Sequence, residues 1–202
     1  VVNIGTLSPT WVAAMKLAVA RAQQCGRPWI LDPVGAGATR YRSAVAADLV
    51  LRGPSVVRGN ASEILSLARA TAQATRGVDA TAPAEAAVDA ARELARQTGA
   101  VFAVTGAVDY ITDGQRIVSC HNGHPLMTRV TGLGCTASAL IGAFLAVEPD
   151  RLYAALHGLI VLGVAGEIAA ERASGPGTLQ LHLYDVLANL DRATLAERAR
   201  SE

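Results

Sequence analysis

The sequence predicts an α/β fold, a mostly parallel sheet with helices packed on it and a helical C-terminal third. Short apolar runs alternate with long helical patterns up to about residue 106, as they do where helices cover a parallel sheet. Polar and glycine residues follow each apolar run, at the strand ends where such sheets bind ligands. From Cys135 onward the pattern is helical almost throughout.

The first strand is expected over residues 1–4 and a helix over 8–26, where Ser8 can cap, Pro9 fits the first helical position and Gly26 can close the C-terminus. Residues 28–32 (PWILD) read as the second strand and 41–51 as the next helix. Residues 55–59 (SVVRG) form a third strand. A helix over 60–70 follows, with Asn60 as N-cap and Glu63 three residues on, in the manner of a capping box. Residues 71–83, rich in Ala, Thr and Gly, read as a surface connection, and 82–99 as a helix ending at Gly99. A fourth strand over 100–106 leads into two alternating runs around Asp113-Gly114, a hairpin signal. Helices are expected over 135–147, 150–172 and 183–199, with the break between the last two at residues 174–177 (SGPG). No internal repeat or second domain is visible, so residues 1–202 read as one domain.

Composition narrows the function classes. Apolar residues make up 51% of the 202 and charged residues 17%, which argues against disorder. A net charge of +1 and 4% aromatics leave no basic, aromatic-studded stripe for nucleic acid. The three cysteines, Cys25, Cys120 and Cys135, are far apart, lack metal-type spacing and read as reduced thiols. No apolar run has the uninterrupted length of a membrane span. The nearest, LYAALHGLIVLGVAGEIAA, carries His157, three glycines and Glu167 and reads as a buried helix. A cytoplasmic protein without membrane or nucleic-acid partners is the expectation, and no signal peptide is seen.

The chemistry-bearing residues gather at the strand ends. Asn3 and Gly5 end the first strand, and Asp32 ends the second where a Gly-rich loop begins. Arg58, Asn60 and Glu63 follow the third, and Thr105 and Gly106 the fourth. Arg58 offers a rigid fork of donors suited to phosphate oxygens, against the plainer reading of a surface ion pair. Asn60 and Glu63 suit a helix cap. Beside a phosphate site, Glu63 and Asp32 also suit Mg²⁺, often held through water. Thr105 reads either as a strand-end turn residue or as a hydroxyl ligand for phosphate. The turn Gly132-Leu133-Gly134, with Cys135 at the start of a helix, suits an anion cradle, because its glycines let backbone N–H groups turn toward a ligand. The plainer reading makes Cys135 a small hydrophobe. His157, His121, His124, Cys25 and Cys120 read as structural, and Asp109 and Asp113 as parts of the hairpin.

Together NIGTLS, DPVGAGATRYR, RGNASEI, VTGAVDYITDG, NGHPLMTRVTGLGC and GPG make the chain, from Val1 to about Leu190, resemble the hydroxyethylthiazole kinase family of the ribokinase-like superfamily. The resemblance implies a three-layer fold, a homotrimer, and phosphorylation of the alcohol of 4-methyl-5-(2-hydroxyethyl)thiazole by ATP with Mg²⁺, in thiamine salvage. By motif position, Arg58, Thr105 and Asn60 would contact ATP, Gly132 and Gly5 the thiazole, and Glu63 with Asp32 the metal. Cys135, Gly132 and Gly134 would form the catalytic turn, with Cys135 where the superfamily usually carries an aspartate base. The family usually has a small or hydroxylated residue where this chain has Leu133. The family also has a β/α segment before the strand with which this chain opens, so either a fragment of a working kinase or a truncated non-catalytic product is expected. A superfamily dehydratase that repairs hydrated nicotinamide cofactors is the other enzyme class weighed; it typically carries Asp at the position of Cys135.

Overall fold

The computed structural model describes residues 1–72 and 85–202. Six strands form one sheet in chain order: β1 (Val2–Asn3), β2 (Ile30–Asp32), β3 (Val56–Asn60), β4 (Val101–Thr105), β5 (Asp109–Thr112) and β6 (Ile117–Cys120). The pairs from β1 to β4 are parallel, with Asn3 opposite Asp32 and Asn60 opposite Thr105, so the polar strand ends line up along one edge. β4 to β6 are antiparallel. Asp113 turns the β5–β6 hairpin as expected, its Oδ1 accepting from the N–H groups of Gln115 and Arg116 at 2.9 and 2.7 Å.

Both faces of the sheet are buried, which is why the strands read as continuous apolar runs. Val2, Leu31, Val57, Phe102 and Val104 pack in one core under α1 (Pro9–Gln24), α2 (Arg40–Val50), α3 (Ala61–Ala72) and α4 (Glu85–Thr98). Their neighbours Ile30, Val56, Val101 and Ala103 face the other core, shared with α5 (Leu133–Phe144), α6 (Arg151–Ala170) and α7 (Pro176–Asn189). The result is three layers, helix, sheet and helix. α6 is long and apolar enough to cross a membrane by length and composition, contrary to the expectation that no run qualifies, but most of it is buried in this second core. Glycines let it pack closely: a Cβ at Gly158 would lie 2.7 Å from the Ile141 backbone nitrogen on α5.

Several boundaries differ from those expected. The connection placed at 71–83 lies mostly outside the described residues, although residues 71 and 72 still belong to α3; the first residues of the helix expected from 82 also lie outside. The segment GPG does not merely break the helices. Pro176 occupies the first turn of α7, where its missing N–H is no loss, and α7 therefore starts seven residues before the helix expected from 183. That helix then ends at Asn189, Leu190 is extended, and Asp191 caps a separate short helix, α8 (Arg192–Arg198), by accepting from Thr194 N–H at 2.8 Å. A 3-10 helix over Pro125–Arg129 was not foreseen; Pro125 opens it and the His124 ring accepts from Leu126 N–H.

The close approach of α6 to α5 generates a stability prediction. Gly158→Ala would press a methyl group against backbone that cannot yield, and should lower the unfolding free energy by about 1–3 kcal/mol in urea. An unchanged midpoint would mean that the two helices adjust freely.

Candidate active site

The ends of β1 and β2 meet the start of α5 through one carboxylate. Asp32 is fully buried, and its Oδ2 accepts from Asn3 Nδ2 at 2.8 Å and from Ser138 Oγ at 2.9 Å. Its Oδ1 is buried without a hydrogen-bond partner, and Arg58 Nη1 approaches it only to 3.9 Å. Burial pushes the Asp32 carboxyl above its ordinary range; the Arg58 charge and the Ser138 hydrogen bond oppose this, while the Glu63 charge adds to it. Asn3 also donates to Cys135 Sγ at 3.4 Å, and its own oxygen accepts from Gly5 N–H at 2.8 Å.

Arg58 links the remaining elements. Its Nη2 donates to Thr105 Oγ1 at 2.8 Å, across the β3–β4 pair. Its Nη1 lies so near α5 that a Cβ at Gly134 would stand 2.6 Å from it. Gly134 therefore leaves Arg58 its present place, which a Cβ there would make it give up. Gly132 is required by the backbone: its φ of 94° is left-handed, and it leads into α5 without any side-chain cap. Ser8, Thr39, Asp150 and Asp191 cap four other helices, whereas α7, like α5, follows a glycine without a side-chain cap. At α5 the first N–H groups are left without a side-chain acceptor, beside a guanidinium. Leu133, between the two glycines, packs partly buried against the core shared with α6.

Asn60 and Glu63 do make the expected reciprocal cap: Glu63 N–H donates to Asn60 Oδ1 at 3.0 Å, and Asn60 N–H to Glu63 Oε2 at 2.9 Å. Glu63 does more than cap. Its Oε1 accepts from Gly35 N–H at 2.8 Å, which fastens the loop after β2 to α3. Arg42 fastens the same loop to the end of β1, donating to the carbonyls of Val34 at 2.9 Å and of Ile4. Among the described residues no three His, Cys, Asp or Glu side chains gather as a metal cage. The donor set that does exist is the pair Asp32 and Glu63, two carboxylates close enough for one to raise the other's proton affinity. Hard oxygen ligands with one orphaned lone-pair site and incomplete charge compensation fit Mg²⁺, which keeps most of its waters.

The structure thus brings Asp32, Arg58, Thr105, Gly134 and Cys135 together, with Asn60 and Glu63 joined to them through the loop after β2. Gly5 is exposed beside Asn3. Cys135 is also exposed, at the third position of α5, so it is not the small buried hydrophobe of the plainer reading. Ser138 and Arg42 escaped the sequence reading. Ser138 stands three residues after Cys135 and so on the same face of α5, a spacing that was available; Arg42 lies inside DPVGAGATRYR. Asp109 is more than a hairpin residue: it accepts from Gly106 N–H at 2.9 Å and feels the Arg58 charge, and burial pushes its carboxyl up to about 6. Cys120 is buried, and its thiol is pushed up to about 11 by burial, as suits an inert residue. A cavity of about 440 Å³ lies elsewhere, between α6, α7 and α8, lined by Arg172, His182 and Val186 among others.

A mixed sheet, parallel over β1–β4 and covered by helices on both faces, with strand-end polar groups beside a glycine turn that opens a helix, is of the ribokinase-like class. A ribokinase-like superfamily protein from Enterococcus faecalis shares this fold, with a TM-score of 0.60 and 18% identity over 93% of this chain and 62% of its own. The chain belongs to the hydroxyethylthiazole kinase family, whose model matches residues 1–193. A hydroxyethylthiazole kinase from Granulibacter bethesdensis is 57% identical over 200 residues, 99% of this chain and 73% of its own length. The structure of hydroxyethylthiazole kinase protein from Pyrococcus horikoshii matches with a TM-score of 0.90 and 39% identity, covering 99% of this chain and 74% of the other.

Two predictions follow from this geometry. Between about pH 3.8 and about 6, folded Asp109 keeps a proton that the unfolded chain has released, so its contribution to stability is present in acid and is lost as pH rises through 6. Asp109→Asn should therefore raise stability at pH 7.5 by roughly 1–2 kcal/mol and flatten the dependence of the urea midpoint between pH 4 and 6. A parental pH dependence in the variant would refute the assignment. Gly134→Ala should displace Arg58 and weaken nucleotide binding by about tenfold or more, read by calorimetric titration; parental affinity would show that Arg58 has room to retreat.

Proposed function

We propose that the chain transfers the γ-phosphoryl group of ATP to the primary alcohol of 4-methyl-5-(2-hydroxyethyl)thiazole, with Mg²⁺, giving the thiazole phosphate used in thiamine synthesis. The observation that carries the reading is the uncapped start of α5 set directly over the Arg58 guanidinium. N–H groups and a cation converge where negative charge would develop, and family membership supplies the reaction.

Phosphoryl transfer depends on positioning and charge stabilisation, and the residues divide along those lines. Arg58 and Thr105 hold nucleotide phosphate oxygens, the guanidinium being pre-set by its hydrogen bond to Thr105. Asn60 stands at the same edge with its side chain engaged in the cap of α3. The N–H groups of Leu133, Gly134 and Cys135 face the transferring group, and the left-handed Gly132 and the exposed Gly5 border the thiazole. Asp32 and Glu63 would hold Mg²⁺, and the ion when bound would offset the charge of the phosphates. Cys135 faces the acceptor hydroxyl and, reacting as its thiolate, takes up the hydroxyl proton to become the thiol as the new bond forms. Because the transition state is loose, this proton transfer assists and does not dominate. The same reading extends to a homotrimer acting in the cytoplasm on a small-molecule alcohol.

The test is thiazole-dependent ADP release in a coupled assay with ATP and Mg²⁺. Turnover that requires all three supports the reading; ATP binding without turnover would favour a non-catalytic homologue. Cys135→Ala should keep measurable turnover, reduced about tenfold to a hundredfold, and complete loss would contradict the assisting role. Arg58→Lys should raise the KM for ATP by about tenfold with a smaller change for the thiazole, because a point charge replaces a fork.

A further inference from the structure

Asn3 has no role in the chemistry above, yet both N–H groups and the oxygen of its side-chain amide are engaged. Its Oδ1 accepts from Gly5 N–H at 2.8 Å, and its Nδ2 donates to Asp32 Oδ2 at 2.8 Å and to Cys135 Sγ at 3.4 Å. The first two contacts fix which way the amide points. A backbone N–H needs the oxygen and a carboxylate needs the nitrogen, so a rotation of the amide by half a turn would lose both. The second N–H of the amide is then left facing the sulfur. Asp32 locks the arrangement from the other side, since the same Oδ2 accepts from Ser138 Oγ, on the face of α5 that carries Cys135. One buried carboxylate therefore ties the end of β1 to two consecutive turns of α5, and the thiol is held on one flank and exposed on the other.

We propose that Asn3 is the positioning residue of the kinase reaction: anchored by Gly5 and Asp32, it holds Cys135 Sγ as a hydrogen-bond acceptor, oriented toward the substrate hydroxyl. The proposal rests on the reading that Cys135 faces that hydroxyl. Asn3 touches neither substrate nor nucleotide and acts through the sulfur alone. Its loss leaves the thiol in place but free to rotate away from the substrate hydroxyl, so kcat changes while the KM for ATP does not.

The experiment is a double-mutant cycle with a chemical readout. In a Cys25→Ser background, which removes the other exposed thiol, Asn3→Ala should lower kcat about tenfold, leave the KM for ATP unchanged, and slow iodoacetamide alkylation of Cys135 at fixed pH by about threefold or more. In a Cys135→Ala background, the same Asn3→Ala change should alter kcat by less than about twofold. Equal kcat losses with and without the thiol, together with an unchanged alkylation rate, would overturn the proposal and leave Asn3 a structural residue. Should Asn3→Ala fail to fold, the exchange Asn3→Asp with Asp32→Asn keeps a hydrogen bond between the two side chains and the acceptor for Gly5, and places an acceptor against the sulfur. Alkylation must then slow as well, and a parental rate would equally refute the contact. If Cys135→Ala turned over at the parental rate, the reading of the thiol would fall by itself, which the alkylation arm would distinguish from failure of the Asn3 contact.

Discussion

The site depends on the close approach of the α5 N-terminus to the Arg58 side chain. A guanidinium under a helix start is electrostatically unfavourable, because both carry positive charge. Two things make it tolerable: Gly134, with no Cβ to meet Nη1, and the carboxylates of Asp32 and Asp109 beneath and beside the arginine. The compensation is incomplete. Arg58 Nε and Asp32 Oδ1 are both buried without hydrogen-bond partners, and the Arg58–Asp32 separation of 3.9 Å is too long for a strong ion pair. A cluster of this kind is costly in the free chain and gains its full complement of partners when an anion and a cation enter together. MgATP brings both.

The parallel register explains why these groups meet. Asn3 lies opposite Asp32, and Asn60 opposite Thr105, so successive strands deliver their polar ends at one level along the sheet edge. The loops beyond that edge are fastened to one another, Glu63 to Gly35 and Arg42 to the carbonyls of Ile4 and Val34. Rigid support of this sort lets small groups, a threonine hydroxyl or a single thiol, act with defined geometry.

Much of this was legible in the sequence because it is written in short-range patterns. Apolar runs followed by polar residues disclosed the strands and their functional ends, and Asn60 with Glu63 disclosed the cap. The glycines before Cys135 marked the turn that opens α5 without a side-chain cap. What escaped depends on contacts between distant residues. Ser138 was hidden in an apolar-looking helix, and only the fold sets it against Asp32, 106 positions earlier. Arg42 stands in a motif that was read, but its partner Ile4 O belongs to the end of another strand, β1. Asp109 was assigned to the hairpin, whose first strand it opens; its placement near the Arg58 charge is a property of the assembled sheet. The start of α7 was misplaced for a local reason: GPG was read as a break, while Pro176 also suits a first helical turn.

The most direct measurement of the central claim is hydrogen exchange, at peptide resolution, on the free chain and on the chain with ADP, Mg²⁺ and hydroxyethylthiazole. The account predicts that the ligands together slow exchange in the segment 131–136 and in segments 57–63 and 103–106, where N–H groups and side chains would close around the phosphates. Protection concentrated between α6, α7 and α8, around the separate cavity, with the start of α5 unchanged, would contradict it.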